Sequence, residues 1–202
     1  MSLDIYLVIY IISKYNKDIG VYMELNEQIE ALKQDVENLQ KNCAKDKLTM
    51  IVFSGDLDKI IAAFILATGA ASMGTEVSMF FTFWGSAALR ASHKKAKGKK
   101  LIEKMFGIML PKGFKHLKLS NMNMAGMGTQ MIKNIMKKKK IPSLQEMLII
   151  AEELGVQISI CEMSMDLMGM KNEEMIDYKH LRYCGVATFL KDASESKSTL
   201  FI

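Results

Sequence analysis

Along the chain, apolar positions first recur with the period of a helix. Leu25, Ile29, Leu32, Val36 and Leu39 fall at alternating steps of four and three, with mostly Glu, Gln, Lys and Asp between them. This heptad, with d at Leu25, Leu32 and Leu39 and a at Ile29 and Val36, predicts an N-terminal helix over residues 23–46. Cys43 continues the a series and reads as a small apolar seam residue. So short a seam suits either the zipping of subunits or packing on its own domain.

After Lys47 the pattern changes to short apolar runs separated by helical stretches. Residues 49–53 read as a buried strand entering the turn Ser54-Gly55-Asp56. Asp56 is placed to cap a helix whose apolar residues run from Leu57 through Ile60, Ile61, Phe64, Ile65 and Leu66 to a stop at Gly74. The aromatic-rich run 76–83 is a second strand, and strand, helix, strand at this spacing is a right-handed βαβ unit. Residues 93–100 form a lysine-rich polar insertion. The Met- and Gly-rich stretch 105–128 has no clean period and reads as a long, lid-like loop. Helices are expected over 129–140, stopped before Pro142, and over 143–154, with Ser143 and Glu146 as a capping box. Further strands are expected at 156–160, at 186–190 and, at an edge, at 198–202. The sum over 47–202 is an α/β three-layer sandwich with a mainly parallel sheet.

Half of the 202 residues are hydrophobic and 24% charged, which argues against disorder and for one main domain. The net charge of +5 raises the question of an anionic partner. The lysines cluster at 94–100 and 137–140 with no interleaved aromatics to stack on bases, so they read as solvated helix ends and nucleic acid is not expected. Three cysteines without a CxxC pair make no disulfide framework and fit a reducing cytoplasm. The apolar run 5–12 is far shorter than the roughly 20 residues that span a bilayer. It also lacks the basic flank that precedes a signal peptide's apolar core. Met23 is a candidate start, which would make residues 1–22 an upstream extension.

The candidate for chemistry is Cys161, at the carboxyl end of the third strand, where reactive groups of a doubly wound sheet gather. A helix opening near Ser164 would favour its thiolate, the species that attacks or carries sulfur. A buried small hydrophobe is the competing reading. From about Lys47 onward the chain resembles the DsrE/DsrF-like family of sulfur-relay proteins, in the subgroup labelled peroxiredoxin-like. The matching segments are Ile51-Val52-Phe53-Ser54-Gly55-Asp56-Leu57-Asp58-Lys59, residues 80–85, residues 118–128, Cys161-Glu162-Met163-Ser164-Met165-Asp166-Leu167-Met168-Gly169, and Gly185-Val186-Ala187-Thr188-Phe189-Leu190. The resemblance implies a flavodoxin-like fold, assembly as trimers or hexamers, and a cysteine that accepts sulfane sulfur as a persulfide, which Cys161 matches.

The expected surroundings of Cys161, on an exposed strand end, are Ser54, Gly55, Asp56, Trp84, Gly85, Met124, Met127, Met163 and Ser164. Cys184 is a possible second, resolving thiol, against the alternative of a packed strand cysteine. Methionines between 105 and 136 are soft enough for Cu(I) but lack histidine partners, so they read as pocket or interface lining. His93, His116 and His180 lack ligand spacing, and no metal is expected. Neither GxGxxG nor GxxxxGKS occurs, and Asp56 and Asp58 would repel a phosphate, so no cofactor is expected. The reading is a cytoplasmic sulfur carrier or sulfurtransferase subunit with donor and acceptor proteins as partners. The alternative is a non-catalytic scaffold that docks redox enzymes.

Overall fold

The computed structural model describes residues 22–39, 44–94, 96 and 98–202, so the expectations for residues 1–21 and for Cys43 lie outside the described residues. The chain divides into two compact units, Met1–Cys43 and Ala44–Ile202. In the first, α1 spans 22–39 and every residue of it is exposed, including Leu25, Ile29, Leu32, Val36 and Leu39. The heptad seam is therefore bare.

The second unit runs β1 (Lys45–Val52), α2 (Leu57–Ser72), β2 (Glu76–Phe81), α3 (Phe83–Ala88), α4 (Leu101–Met109), α5 (Met127–Lys138), α6 (Leu144–Glu153), β3 (Gln157–Cys161), α7 (Glu162–Leu167), β4 (Leu181–Cys184), α8 (Val186–Ser194) and β5 (Ser196–Phe201). The sheet order is β4-β3-β2-β1-β5. All four neighbouring pairs are parallel. Strands β1 to β4 advance in one direction, so right-handed crossovers set their helices on one face; the return from β4 to the far side of β1 reverses direction and sets α8 on the other. The expected three-layer α/β sandwich results, with very unequal outer layers.

The main core lies on the many-helix face. There Met50, Val52, Val77, Met79, Phe81, Ile158 and Ile160 pack against Ile60 and Phe64 of α2 and Met147 and Leu148 of α6. Alternation sends the neighbouring residues to the α8 face, where Phe80, Cys161, Cys184 and Phe189 form a small second cluster. Phe80 and Phe189 lie 5.3 Å apart between ring centres. α6 begins with the expected capping box: the Ser143 amide donates to Glu146 Oε2 at 2.6 Å and the Glu146 amide to Ser143 Oγ.

Four expectations are corrected. Residues 186–190 form a helix, not a strand: Gly185 is its N-cap, and of the apolar Val186, Phe189 and Leu190 only Phe189 is buried. The fourth strand is Leu181–Cys184, which carries Arg182 on a covered face and so does not read as an apolar run. The second strand ends at Phe81, and Phe83 opens α3 with φ of 44°, in the left-handed region that side chains disfavour. The stretch 105–128 is not a single loop, because α4 fills its start, two 3-10 turns follow, and α5 begins at Met127. Asp56 does occupy the N-cap of α2, but it makes no side-chain cap bond; its carboxylate accepts from Ser54 Oγ at 2.9 Å instead.

Candidate functional site

The carboxyl ends of β1, β2 and β3 are bound into one platform. The Thr82 amide donates to Val52 O at 3.1 Å and the Gly85 amide to Phe53 O at 2.9 Å, joining the β2–α3 turn to the end of β1. This crossing requires glycine, since a Cβ on Gly85 would lie 2.2 Å from Val52 O and one on Gly55 2.7 Å from Trp84 O. Thr82 Oγ1 then meets Ser164 Oγ of α7 at 2.8 Å. The structure thus brings together the turn Ser54, Gly55, Asp56 with Trp84 and Gly85, and reaches Ser164 through Thr82, a residue that sequence reasoning missed.

The methionines are placed differently. Met124 and Met127 are exposed, on a 3-10 turn and at the start of α5. Their segment is tied to the start of α2: Ser120 donates to Asp58 through its amide (2.9 Å) and hydroxyl (2.6 Å), and the Leu57 amide donates to Lys118 O at 2.8 Å. Those hydrogen bonds outweigh burial and hold the Asp58 carboxyl below its ordinary value. Met127 lines a depression of about 420 Å³ with Gln130, Met131 and Ile135. A larger groove of about 1120 Å³, walled by residues of α2, α5 and α6, includes none of the residues expected around Cys161. Met163 stays near Cys161 in sequence and is exposed.

Cys161 is the last residue of β3 and the N-cap of α7. Contrary to the expectation of an exposed strand end it is only 3% accessible, because it faces Phe80 and Phe189 beneath α8. Cys184 ends β4 as its register partner and is 8% accessible. Burial pushes the Cys184 thiol up, and hydrogen bonds with Ser159 and Thr188 and the charge of Arg182 oppose that rise without cancelling it. Both cysteines are free.

A polar network on the same face fixes α8 over the cysteines. Asp192 of α8 accepts from Lys47 Nζ at 2.8 Å, from Ser78 Oγ at 3.2 Å and from Arg182, whose Nε also donates to Ser159 Oγ at 2.6 Å. Sequence reasoning missed these residues. Their signal was available: Lys47, Thr49, Ser78, Ser159 and Arg182 are polar positions on the strand residues that alternate with the main core. No group of three or more His, Cys, Asp and Glu that could hold a metal occurs among the described residues.

The sequence model of the DsrE/DsrF/DrsH-like family matches residues 44–201, the whole second unit but for its last residue. The chain belongs to the DsrE/DsrF/DrsH-like family. This DsrE/DsrF/DrsH-like chain is 46% identical over 156 residues to Uncharacterized protein YrkE of Bacillus subtilis, which covers 77% of the chain and 96% of that protein. It is 37% identical over 160 residues to Sulfur carrier protein DsrE2 of Allochromatium vinosum, covering 77% of the chain and 98% of that protein. Among solved structures, the ychN protein of E. coli aligns over 77% of this chain and 98% of its own at a TM-score of 0.45 and 11% identity. The family match begins after α1, which is an addition to the DsrE/DsrF/DrsH-like unit.

Proposed function

We propose that this protein works in sulfur relay, as a carrier that holds sulfane sulfur as a persulfide on Cys161. The observation that carries the reading is a thiol at the carboxyl end of β3, in a chain similar over its family unit to a protein named as a sulfur carrier. In this reading the Cys161 thiolate attacks the outer sulfur of a donor persulfide, the donor leaves as a thiolate, and an acceptor thiolate later takes the same outer sulfur. Burial beneath α8 serves such an intermediate by keeping unrelated thiols from it. The surface is still one residue from each thiol, since Glu162, Met163, Gly185 and Val186 are exposed. Such chemistry belongs to a reducing cytoplasm, with donor and acceptor proteins as partners.

Treating the reduced Cys184→Ser variant, in which an added sulfur has no neighbouring thiol to react with, with inorganic polysulfide, removing the excess and measuring intact mass is expected to show a gain of one sulfur atom, absent from the Cys161→Ala, Cys184→Ser double variant. No gain, or an equal gain in the double variant, would overturn the reading.

The bare seam of α1 supports a second element of the proposal, association of copies. β-branched Ile29 and Val36 at a with leucine at d favour two strands, and chains so paired can build the hexamer that the family resemblance implies. Exposed Phe53 and Phe201, stacked 6.0 Å apart, give the second unit an apolar patch of its own. Light scattering on the intact chain is expected to report an oligomer whose mass falls in Leu32→Glu; an unchanged mass removes α1 from the assembly. The seam equally favours the scaffold reading. An oligomer whose Cys161 takes up no sulfur would establish it.

A further inference from the structure

The carrier reading uses one thiol and leaves Cys184 without a role, although the sheet sets the two cysteines side by side. They are register partners in adjacent parallel strands, and side chains of paired residues leave the same face. Neighbouring strands lie about 4.8 Å apart, within the range of about 4.4–6.8 Å between Cα atoms that a disulfide bridges. Both thiols belong to the cluster closed by Phe80 and Phe189. At 3% and 8% accessibility, both thiols are shielded from a large partner. Cys184 also has polar neighbours: burial raises its thiol pKa, and Ser159, Arg182 and Thr188 oppose that rise without cancelling it, with Ser159 in turn gripped by Arg182. A cysteine that merely fills space needs no such partners.

We propose that Cys184 resolves a persulfide on Cys161, expelling its outer sulfur as hydrosulfide and leaving a Cys161–Cys184 disulfide. The inference rests on the carrier reading above. The Cys184 thiolate attacks Sγ of Cys161; the bond from that sulfur to the outer sulfur breaks, and its electron pair leaves with the outer sulfur as HS⁻. The Cys184 proton passes to solvent or to the hydrosulfide. The outer sulfur is reduced to sulfide while the two cysteine sulfurs are oxidised to the disulfide, so no outside oxidant enters. A dithiol reductant restores the starting state. The carrier thus has two outputs, persulfide sulfur when an acceptor thiol arrives and free sulfide when none does.

The test treats the reduced intact chain with inorganic polysulfide, removes the excess, and follows released sulfide, intact mass and alkylated peptides. The wild type is expected to release one sulfide per chain and to yield a peptide linking residues 161 and 184. Cys184→Ser and Cys184→Ala are expected to accumulate the added sulfur on Cys161 and to release no sulfide without added thiol. Two variants, checked for native circular dichroism, guard against a folding defect in either, and the linked peptide is read on the wild type alone. Wild type and variants holding equal persulfide, with no 161–184 link, would overturn the inference and leave the carrier reading standing. No added sulfur in any of them would overturn both.

Discussion

Replacing Glu174 by alanine is expected to lower the free energy of unfolding by about 4–5 kcal/mol, since removing one member of a buried ion group strands the others. The Glu174 carboxylate meets Arg90 Nη2 at 3.3 Å and Lys99 Nζ at 2.5 Å, and the three side chains are 6%, 4% and 7% accessible. Burial alone would raise the Glu174 pKa; hydrogen bonds from Lys99 and the Lys171 amide and the two cationic charges prevail and hold it low. Without that carboxylate, two cations remain in a dry environment with only the Gly107 and Leu110 carbonyls, at 3.4 Å, for Arg90. The same junction is stitched by backbone bonds, Ala91 to Glu174 O at 2.7 Å and Ile176 to Leu89 O at 2.9 Å, so the damage reaches the approach to β4 and Cys184. Urea unfolding measures it. A loss below about 1 kcal/mol, the level of an exposed pair, would refute the buried-triad account. Glu174→Gln, which keeps hydrogen-bonding capacity, is expected to lose less.

The second large effect is that of Asp192→Ala, expected to cost about 3 kcal/mol, the low end for a broken buried pair. Lys47 is 7% accessible and depends on Asp192, but Glu76 remains 3.1 Å from it, and Arg182, 37% accessible, falls back on water. The pH dependence follows from the two shifts. Burial raises the Asp192 pKa, but Lys47 and Arg182 more than reverse this, so the folded value lies below the ordinary 3.8. Its stabilisation is therefore complete above the unfolded pKa and is lost as pH falls through the folded one. Burial lowers the Lys47 pKa, but the hydrogen bonds it donates to Asp192 and Glu76 more than restore it, so the folded value exceeds 10.5. Its contribution is complete below the unfolded pKa and is lost as pH rises through the folded one. Thermal unfolding of the wild type is expected to hold a plateau between these limits and to fall at both ends. In Asp192→Ala the acid-side fall shrinks; an unchanged acid limb would show that Asp192 does not set it.

Much of the architecture was legible because it rests on local patterns. The apolar run 49–53 and the helical spacing from Leu57 onward marked the first strand and helix, and Ser143 with Glu146 marked the start of α6, each within a turn or two of chain. The errors share a cause. Leu181–Cys184 went unread because Arg182 and Cys184 face a covered polar layer, and 186–190 passed for a strand because its apolar residues are short-range ambiguous. Of the expected site, the two glycine turns and Ser164 converge because glycine alone admits the crossing of β1 and β2 ends. Met124 and Met127 follow Ser120 and Asp58 to the start of α2, a tether that spacing does not reveal.

The sequence by itself determined the alternation of strands and helices, the heptad helix before them and a thiol at a strand end, for these depend on periodicity and capping between near neighbours. Only the tertiary structure decided that Cys161 is buried rather than exposed, that α8 covers its face, and that Cys184 stands beside it. Strand register and the covering of a face are settled by contacts between segments far apart in the chain, where the hydrophobic demand of one sheet face, and the ion network that anchors α8 to it, outweigh local preference.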